Sequence, residues 1–459
     1  MAGDVAFFAI ASLAPCSNRH VLCVRSGPAR GAASHSPKKS TSPAISIFQW
    51  VVFYALTFLA SAKKPGAIEA PINSKFESNS VKSTCFLVAA SLLLLSVVPV
   101  IATAAVLPEE RVDLLYHRYD GGGVEVDGPS VLVRKNVGDS VSVGLNYYVD
   151  NVTSASIDVV VSASEYTEER DEYSINVDYL RQKTTMSVGY TKSDESDYTA
   201  ETWSMGIAQD MFGDLTTVSM GFAYGDNTVE QNGNPDFKED TEVRSYRIGL
   251  SQIFTKNLIM AFTFETISDE GYLNNPYRSV RYVDGGSPVG YSFQQEVYPR
   301  TRTSNAVAVR GNYFLSQYGA VNAGLRYFED NWGIEAMTYE LGYTIPYEED
   351  WILEARFRYH DQDKADFYSD LFPFRDAQNY LARDKELGKF TSTTLGLGGS
   401  YEFGRSWSMI DRGSLNLHVD YIYFDYDDFR DLTGSGAVGD EPLYDFDATV
   451  TRLFASFWF

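Results

Sequence analysis

The chain ends in DATVTRLFASFWF, residues 447–459. Leu453, Ala455, Phe457 and Phe459 stand two apart there, the side-chain period of a β-strand and not of a helix. The same period runs back to residue 111. Leu415, Leu417, Val419, Tyr421 and Tyr423 alternate with Asn416, His418 and Asp420. Trp351, Leu353, Ala355, Phe357 and Tyr359 alternate with Glu354, Arg356 and Arg358. Val141, Val143, Leu145 and Tyr147 alternate with Ser142, Gly144 and Asn146. No long amphipathic helix interrupts the pattern. Sixteen segments carry it: 111–119, 129–136, 141–149, 173–180, 184–191, 202–210, 216–225, 243–253, 258–267, 302–315, 320–328, 333–345, 351–360, 392–403, 414–426 and 447–459.

One face of these segments is apolar and aromatic. The other carries Arg247, Arg310, Arg326, Glu340, Glu354, Arg356, Arg358, His418, Asp420 and Arg452, with many glycines between them. A soluble sandwich also alternates, but it turns its apolar face into a core. A membrane barrel inverts this, with apolar residues facing lipid and polar residues facing a lumen. Connection lengths separate the two. Seven are short: 137–140, 181–183, 211–215, 254–257, 316–319, 346–350 and 404–413. Long ones fall between them, including 150–172, 226–242, 268–301, 361–391 and 427–446, with a tight turn near Asp330 and Asn331 as the exception. Outer-membrane barrels take turns in this way, with short periplasmic turns and long extracellular loops. The expected fold is all-β: a transmembrane antiparallel up-and-down β-barrel of about 16 strands, with both barrel ends on the periplasmic side. Closure also removes the strand edges that lipid does not tolerate. Residues 154–162 (SASIDVVVS) could be a further strand and shift the count by up to two.

Composition agrees with that reading. The 31 tyrosines and 28 phenylalanines suit sheets and membrane interfaces. A formal net charge of −23 argues against a general nucleic-acid binder, which needs a basic face. The charge hides a break near residue 105. Nine of the 38 Lys/Arg and three of the 61 Asp/Glu precede it, as do Cys16, Cys23 and Cys85. Residues 105–459 are thus cysteine-free, with 29 basic and 58 acidic residues and a net charge of −29. A body without thiols suits an oxidising compartment. Lys82, the apolar run Phe86 to Ile101 and the small Ala102-Thr103-Ala104 read as a signal peptide over 81–104, cleaved before Ala105. The run is shorter than the ~20 residues a membrane-spanning helix needs. Cys85 precedes the run instead of following it, against a lipoprotein. Residues 1–80 read as a non-native or unstructured N-terminal extension, with translation starting at Val81. The competing reading is an extra membrane helix over 45–62. Export through the inner membrane to the bacterial outer membrane follows from the signal peptide and the barrel.

The last strand resembles the C-terminal signature through which the barrel-assembly machinery recognises outer-membrane proteins, with Phe459 and Phe457 as its carriers. Four further segments carry a second resemblance: YHRYDGGG at 116–123, GLNYYVDNVTSASIDVVVSAS at 144–164, EERDEYS at 168–174 and KTTMSVGY at 183–190. Through them residues 105–459 resemble an uncharacterised, porin-like family of bacterial outer-membrane β-barrels, known only as a domain of unknown function. The resemblance implies the barrel, and it transfers no activity and no catalytic residue. The partners expected of such a barrel are the lipid bilayer and lipopolysaccharide, with the assembly machinery during biogenesis and no nucleic acid.

Three histidines fall in the body: His117, His360 and His418. His418 shares a strand face with Asn416 and Asp420, so a barrel-rim hydrolase using His418 or His360 is one reading. Hydrogen bonding in the lumen is the ordinary one, and no catalytic residue is assigned. Acidic clusters recur in the loops: Glu165, Glu168, Glu169, Asp171 and Glu172; Asp194, Glu195 and Asp197; Asp361, Asp363 and Asp366; Asp425, Asp427, Asp428 and Asp431. Such oxygens suit a loop-bound divalent cation or cation bridging to lipopolysaccharide, or they form a solvated face. None fits the EF-hand loop, and no cofactor is expected. Inward arginines opposite inward acids, such as Arg356 and Arg358 near Glu354 and Glu340, admit two arrangements: a transverse field at a pore constriction, or a salt-bridged network filling the lumen. The function expected is a porin-like channel or small-solute transport or binding barrel. A surface structural or adhesion barrel with a filled lumen is the first alternative, and an outer-membrane hydrolase the second.

Overall fold

The structure, a computed structural model, describes residues 106–154, 166–404 and 410–459. The N-terminal extension, the signal peptide over 81–104 and all of SASIDVVVS beyond Ser154 lie outside the described residues. Sixteen strands close into one antiparallel barrel. They are β1 (Arg111–Gly121), β2 (Val124–Val137), β3 (Val141–Ser154), β4 (Tyr166–Arg181), β5 (Thr184–Asp194) and β6 (Tyr198–Met211). Then come β7 (Thr216–Glu230), β8 (Lys238–Thr255) and β9 (Leu258–Gly271). A small hairpin apart from the barrel, β10 (Ser279–Val283) with β11 (Tyr291–Gln295), follows. The ring resumes with β12 (Thr301–Phe314), β13 (Ala320–Asp330), β14 (Glu335–Tyr347), β15 (Trp351–Gln362), β16 (Phe390–Phe403), β17 (Arg412–Arg430) and β18 (Leu443–Trp458). Each barrel strand pairs with the next, β9 pairs β12 across the hairpin, and β1 pairs β18 to close the ring.

All sixteen expected segments are strands, and the seven short connections all lie at one end. At the other end the strands run further than the alternation indicates. β4 begins at Tyr166 and not 173, and β17 runs to Arg430. There the sequence is polar on both faces, as in Thr167-Glu168-Glu169-Arg170-Asp171, so the ladder persists where the hydrophobic signal has stopped. Two gaps also close more tightly than expected. β1 and β2 are joined by Gly122-Gly123 alone, both with positive φ (58° and 75°), and β5 and β6 by residues 195–197.

The outer face is apolar along its length: Leu397 is 71% exposed and Trp203 57%. On β14, Tyr339 and Tyr347 stand eight residues apart, about 26 Å along the strand at ~3.3 Å per residue. Outward tyrosines on the long-loop side direct their hydroxyls to carboxylates: Tyr116 donates to Asp127 at 2.5 Å, Tyr147 to Asp171 at 2.6 Å, and Tyr421 to Asp447. A ring among apolar neighbours with its hydroxyl turned to a charge is the posture of a membrane-interface girdle. Large apolar area outside and charge inside make this a transmembrane barrel.

Inward glycines give the polar side chains room to lie along the wall. Gly396 pairs with Asp420 and Gly398 with His418. A Cβ on Gly396 would collide with the Asp420 carboxylate, and one on Gly398 with the His418 ring. Gly396→Val is therefore expected to lower barrel stability by about 2 kcal/mol or more, as overpacking does. Outward Leu397→Val, by contrast, leaves the lumen untouched. Urea unfolding of both variants in lipid, read by heat-modifiable gel migration, checks this; equal stabilities would refute it.

Candidate functional site

The charges expected to face inward stand on the strand parity opposite the exposed apolar side chains, and ion pairs link them in a belt from β8 to β18. Arg247 on β8 bonds Glu265 on β9 at 2.7 Å. Glu340 on β14 takes two arginines, Arg310 of β12 at 3.5 Å and Arg358 of β15 at 3.7 Å. Asp420 on β17 likewise takes two, Arg356 of β15 at 2.6 Å and Arg452 of β18 at 3.1 Å. Glu354 lies close to His418 and Arg452. Arg326 on β13 is flanked by Arg247, Arg310, Glu265 and Glu340, and its guanidinium lies 5.4 Å from the Phe328 ring centre. It forms no salt bridge with a carboxylate among the described residues. Exposure varies widely along the belt. The side chains of Arg247 and Arg310 are 63% and 54% exposed although they sit inside a closed ring, whereas that of Asp420 is 3% exposed.

The inward faces of β5, β6 and β7 carry Ser187, Gly189, Ser204, Gly206, Ser219 and Gly221. In ring order these strands stand half a turn from β15, β16 and β17. A short uncharged wall thus faces a charged one, whose arginines and acids are joined by ion pairs.

Neither His418 nor His360 is set in a hydroxyl–imidazole–carboxylate relay by the contacts it makes. His418 stacks on Phe454 at 5.8 Å, and Asp420 is occupied by its two arginines. Asn416 accepts from Ser400 at 2.5 Å and donates to Ser414 at 3.0 Å. His360 Nδ1 is 2.9 Å from Thr338 Oγ1, with its ring against Phe390. His117 does have a carboxylate: its Nε2 is 2.7 Å from Asp150 Oδ1 and 3.0 Å from the Tyr148 hydroxyl, whose ring it stacks on at 4.8 Å. Arg170 bonds the other Asp150 oxygen at 3.1 Å. This buried cluster was not anticipated, although its members lie in YHRYDGGG, GLNYYVDN and EERDEYS; strand parity places each inward, and only the register brings them together. At the terminal signature, Phe459 lies under the Lys135 ammonium at 4.8 Å, and Phe457 packs edge-on against Phe403.

Two expected acidic clusters converge. Carboxylate oxygens of Glu168, Glu195 and Asp197 lie within 4.8 Å of one another. Ser196 already donates to Glu168, and Tyr277 to Asp197 at 2.5 Å. Elsewhere lysines meet the acids: Lys389 bridges Asp363 and Asp427, and Lys364 reaches Asp428. Glu165 lies outside the described residues.

The three longest described connections, 272–300, 363–389 and 431–442, are welded together. Arg281, wholly buried, forks onto Glu441 at 2.7 and 3.0 Å and donates to the carbonyl and carboxylate of Asp370. Arg383 shares Asp370 at 3.1 Å and lies 4.4 Å from the Phe429 ring centre. Val297 and Leu381 exchange backbone hydrogen bonds at 2.9 and 2.8 Å. Phe429 in turn packs with lumen-facing Tyr426, so the 363–389 loop is drawn over the aromatic side of the mouth. Burial works against the charge of Glu441, but Arg281 overrides it and holds the carboxyl at about 2. Glu296 behaves oppositely: burial, then the neighbouring Asp384 carboxylate, push it up to about 7 against donation from Tyr298 and the Arg383 amide.

A closed ring with lipid-facing girdles and a charged lining defines an outer-membrane β-barrel. Residues 160–246 and 231–421 match the family described as Protein of unknown function (DUF3570). Those matches together span more than half of the chain, which belongs to that family. No curated protein sequence matches it. Among solved structures, the chain is similar to a "Bacterial polysaccharide outer membrane secretin" at 8% identity and TM-score 0.42, covering 77% of this chain and 100% of that one. It is similar to the "CymD monoaromatic hydrocarbon channel" at 10% identity and TM-score 0.36, covering 77% and 89%. The outer membrane protein opdK from Pseudomonas aeruginosa gives 11% identity and TM-score 0.37, covering 76% and 98%. Likenesses this distant say nothing of what this chain carries.

The raised Glu296 carboxyl makes the loop weld pH-dependent. Its folded state holds a proton more tightly than the unfolded loop, so the stabilisation is present below the ordinary carboxyl value and is lost as pH rises through about 7. Hydrogen exchange in 272–300 should therefore quicken between about pH 5 and pH 8 by up to roughly tenfold per pH unit beyond the intrinsic rate. Glu296→Gln should remove that excess; an unchanged excess in the variant would show that another group titrates.

Proposed function

We propose that the protein is a porin-like outer-membrane channel for small polar solutes. The observation that carries this is the solvent exposure of Arg247 and Arg310 inside a closed ring. Guanidiniums in that position need water or a solute beside them, and a 16-strand ring is wide enough for an aqueous lumen. The small side chains on β5 to β7 leave the space opposite the charged wall. In this reading the short turns and both barrel ends face the periplasm, the welded loops face outward, and residues 81–104 are the removed export signal. The loops then narrow the mouth from the β15 to β18 side, and 272–300 reaches across to the β5–β6 connection through Tyr277 and Asp197.

The weld itself favours a second reading, a surface scaffold with a closed mouth. Planar-bilayer recording of the purified protein decides between them. Stepwise ohmic conductance is expected, rising when Arg281→Ala loosens the weld, since removing one partner of a buried pair costs about 3–5 kcal/mol. Folded barrel with no conductance in either form would defeat the channel reading and leave the scaffold.

A further inference from the structure

The belt is not neutral. On β8 to β18 it holds six arginines, Arg247, Arg310, Arg326, Arg356, Arg358 and Arg452, against four carboxylates, Glu265, Glu340, Glu354 and Asp420. Two of those carboxylates are each shared by two guanidiniums. Most of the pairs are also ordered in depth. Asp420 is 3% exposed behind Arg356 at 32%, and Glu265 is 19% exposed behind Arg247 at 63%. Glu340 at 28% lies behind Arg310 at 54% but is as open as Arg358 at 24%. A solute beside Arg247, Arg310 or Arg356 therefore meets the guanidinium before its counter-charge. Arg326 adds a guanidinium without a salt bridge, among Arg247, Arg310, Glu265 and Glu340. The uncharged wall of β5 to β7 supplies no opposing acid at that level.

We infer that this lumen selects small oxyanions, carboxylate- or phosphate-bearing solutes, and that Arg326 is the guanidinium that binds them as they pass. The inference rests on the channel reading for its physiological meaning. A guanidinium fork matches the two oxygens of a carboxylate or phosphate, and Arg326 is the belt member whose fork is not already engaged by one. The acidity of the chain as a whole does not oppose this. Charges beyond about 10 Å are largely screened in salt, so the narrow belt sets selectivity and the outer loops do not. Asp370 and Glu441, the acids nearest the weld, are moreover already neutralised by Arg281 and Arg383.

The test is the reversal potential of the purified protein in planar bilayers under a potassium chloride gradient. Chloride should permeate better than potassium. Arg326→Gln should lower that ratio by about two- to threefold, the effect of one charge felt across an aqueous lumen. Exposed loop residue Arg375→Gln should leave it unchanged. Inorganic phosphate and acetate, each added to one side, should block chloride current in the native protein and less so in Arg326→Gln. A conducting barrel that prefers potassium would overturn the inference while leaving the channel standing. If the barrel does not conduct, the channel reading falls, and calorimetry of inorganic phosphate with the detergent-solubilised protein decides the inference alone. Binding weakened by Arg326→Gln supports it, whereas no binding, or binding unchanged in the variant, ends it.

Discussion

Everything in this molecule depends on the pairing of β1 with β18. A backbone N–H or C=O left unpaired in hydrocarbon costs several kcal/mol, so a membrane sheet has to close on itself. Here closure joins Arg111 to Trp458 and runs unbroken to Gly121 opposite Ala448. Once the ring is shut, side-chain parity has two distinct meanings. Outward positions meet lipid, and inward positions build an apolar cluster only on one side, at Tyr119, Val126, Val152, Ile422 and Val450, so the rest are relieved of that need. That relief is what permits a lining of arginine and glutamate. It also explains the inward glycines. Asp420 and His418 lie along the wall, where Gly396 and Gly398 leave the clearance that a Cβ would take.

At the loop end the constraint changes. Water satisfies the backbone there, and the strands continue as two-faced polar ladders. Order has to come from side chains, and it comes from charge. Burying Arg281 without partners would be prohibitive; with Asp370 and Glu441 both engaged, it becomes a clamp on three connections. Aromatic packing of Tyr298, Trp332 and Phe367 excludes water from the same region. Exclusion of water makes Glu296 hold its proton, so packing and titration there are one effect.

This division accounts for what was legible in the sequence. All sixteen strands were, because each spends its membrane length alternating Leu or Tyr with Ser, Gly or Arg. Their loop-side ends were not, because Glu168 to Asp171 are polar on both faces while still paired to β3. The inward direction of Arg356 and Asp420 followed from parity, yet the sharing of Asp420 between Arg356 and Arg452 did not. That needs the relative register of β15 to β18, which turn lengths set and composition does not reveal. The clamp was further out of reach. Arg281 meets partners 89 and 160 residues away in connections with no periodicity to read. His117 with Asp150 lies between these cases: 33 residues apart, inward by parity, and joined only when β1, β2 and β3 are set side by side.

The pairing of the charges follows from the wall that carries them. A carboxylate inside a narrow lumen loses much of its water, and a single guanidinium compensates for that incompletely. Two do so more fully, which is the arrangement at Glu340 and at Asp420. Placing the short carboxylate against the backbone and the long guanidinium outside it also follows from reach. An arginine extends past the plane of the wall, while aspartate, beside a glycine, does not. The consequence at Asp420 is that stabilising the acid leaves Arg356 the more open of the two. In the anion-selective reading, the doubled arginines at Glu340 and Asp420 both brace the wall and supply the cationic lining, without a separate site being added to it.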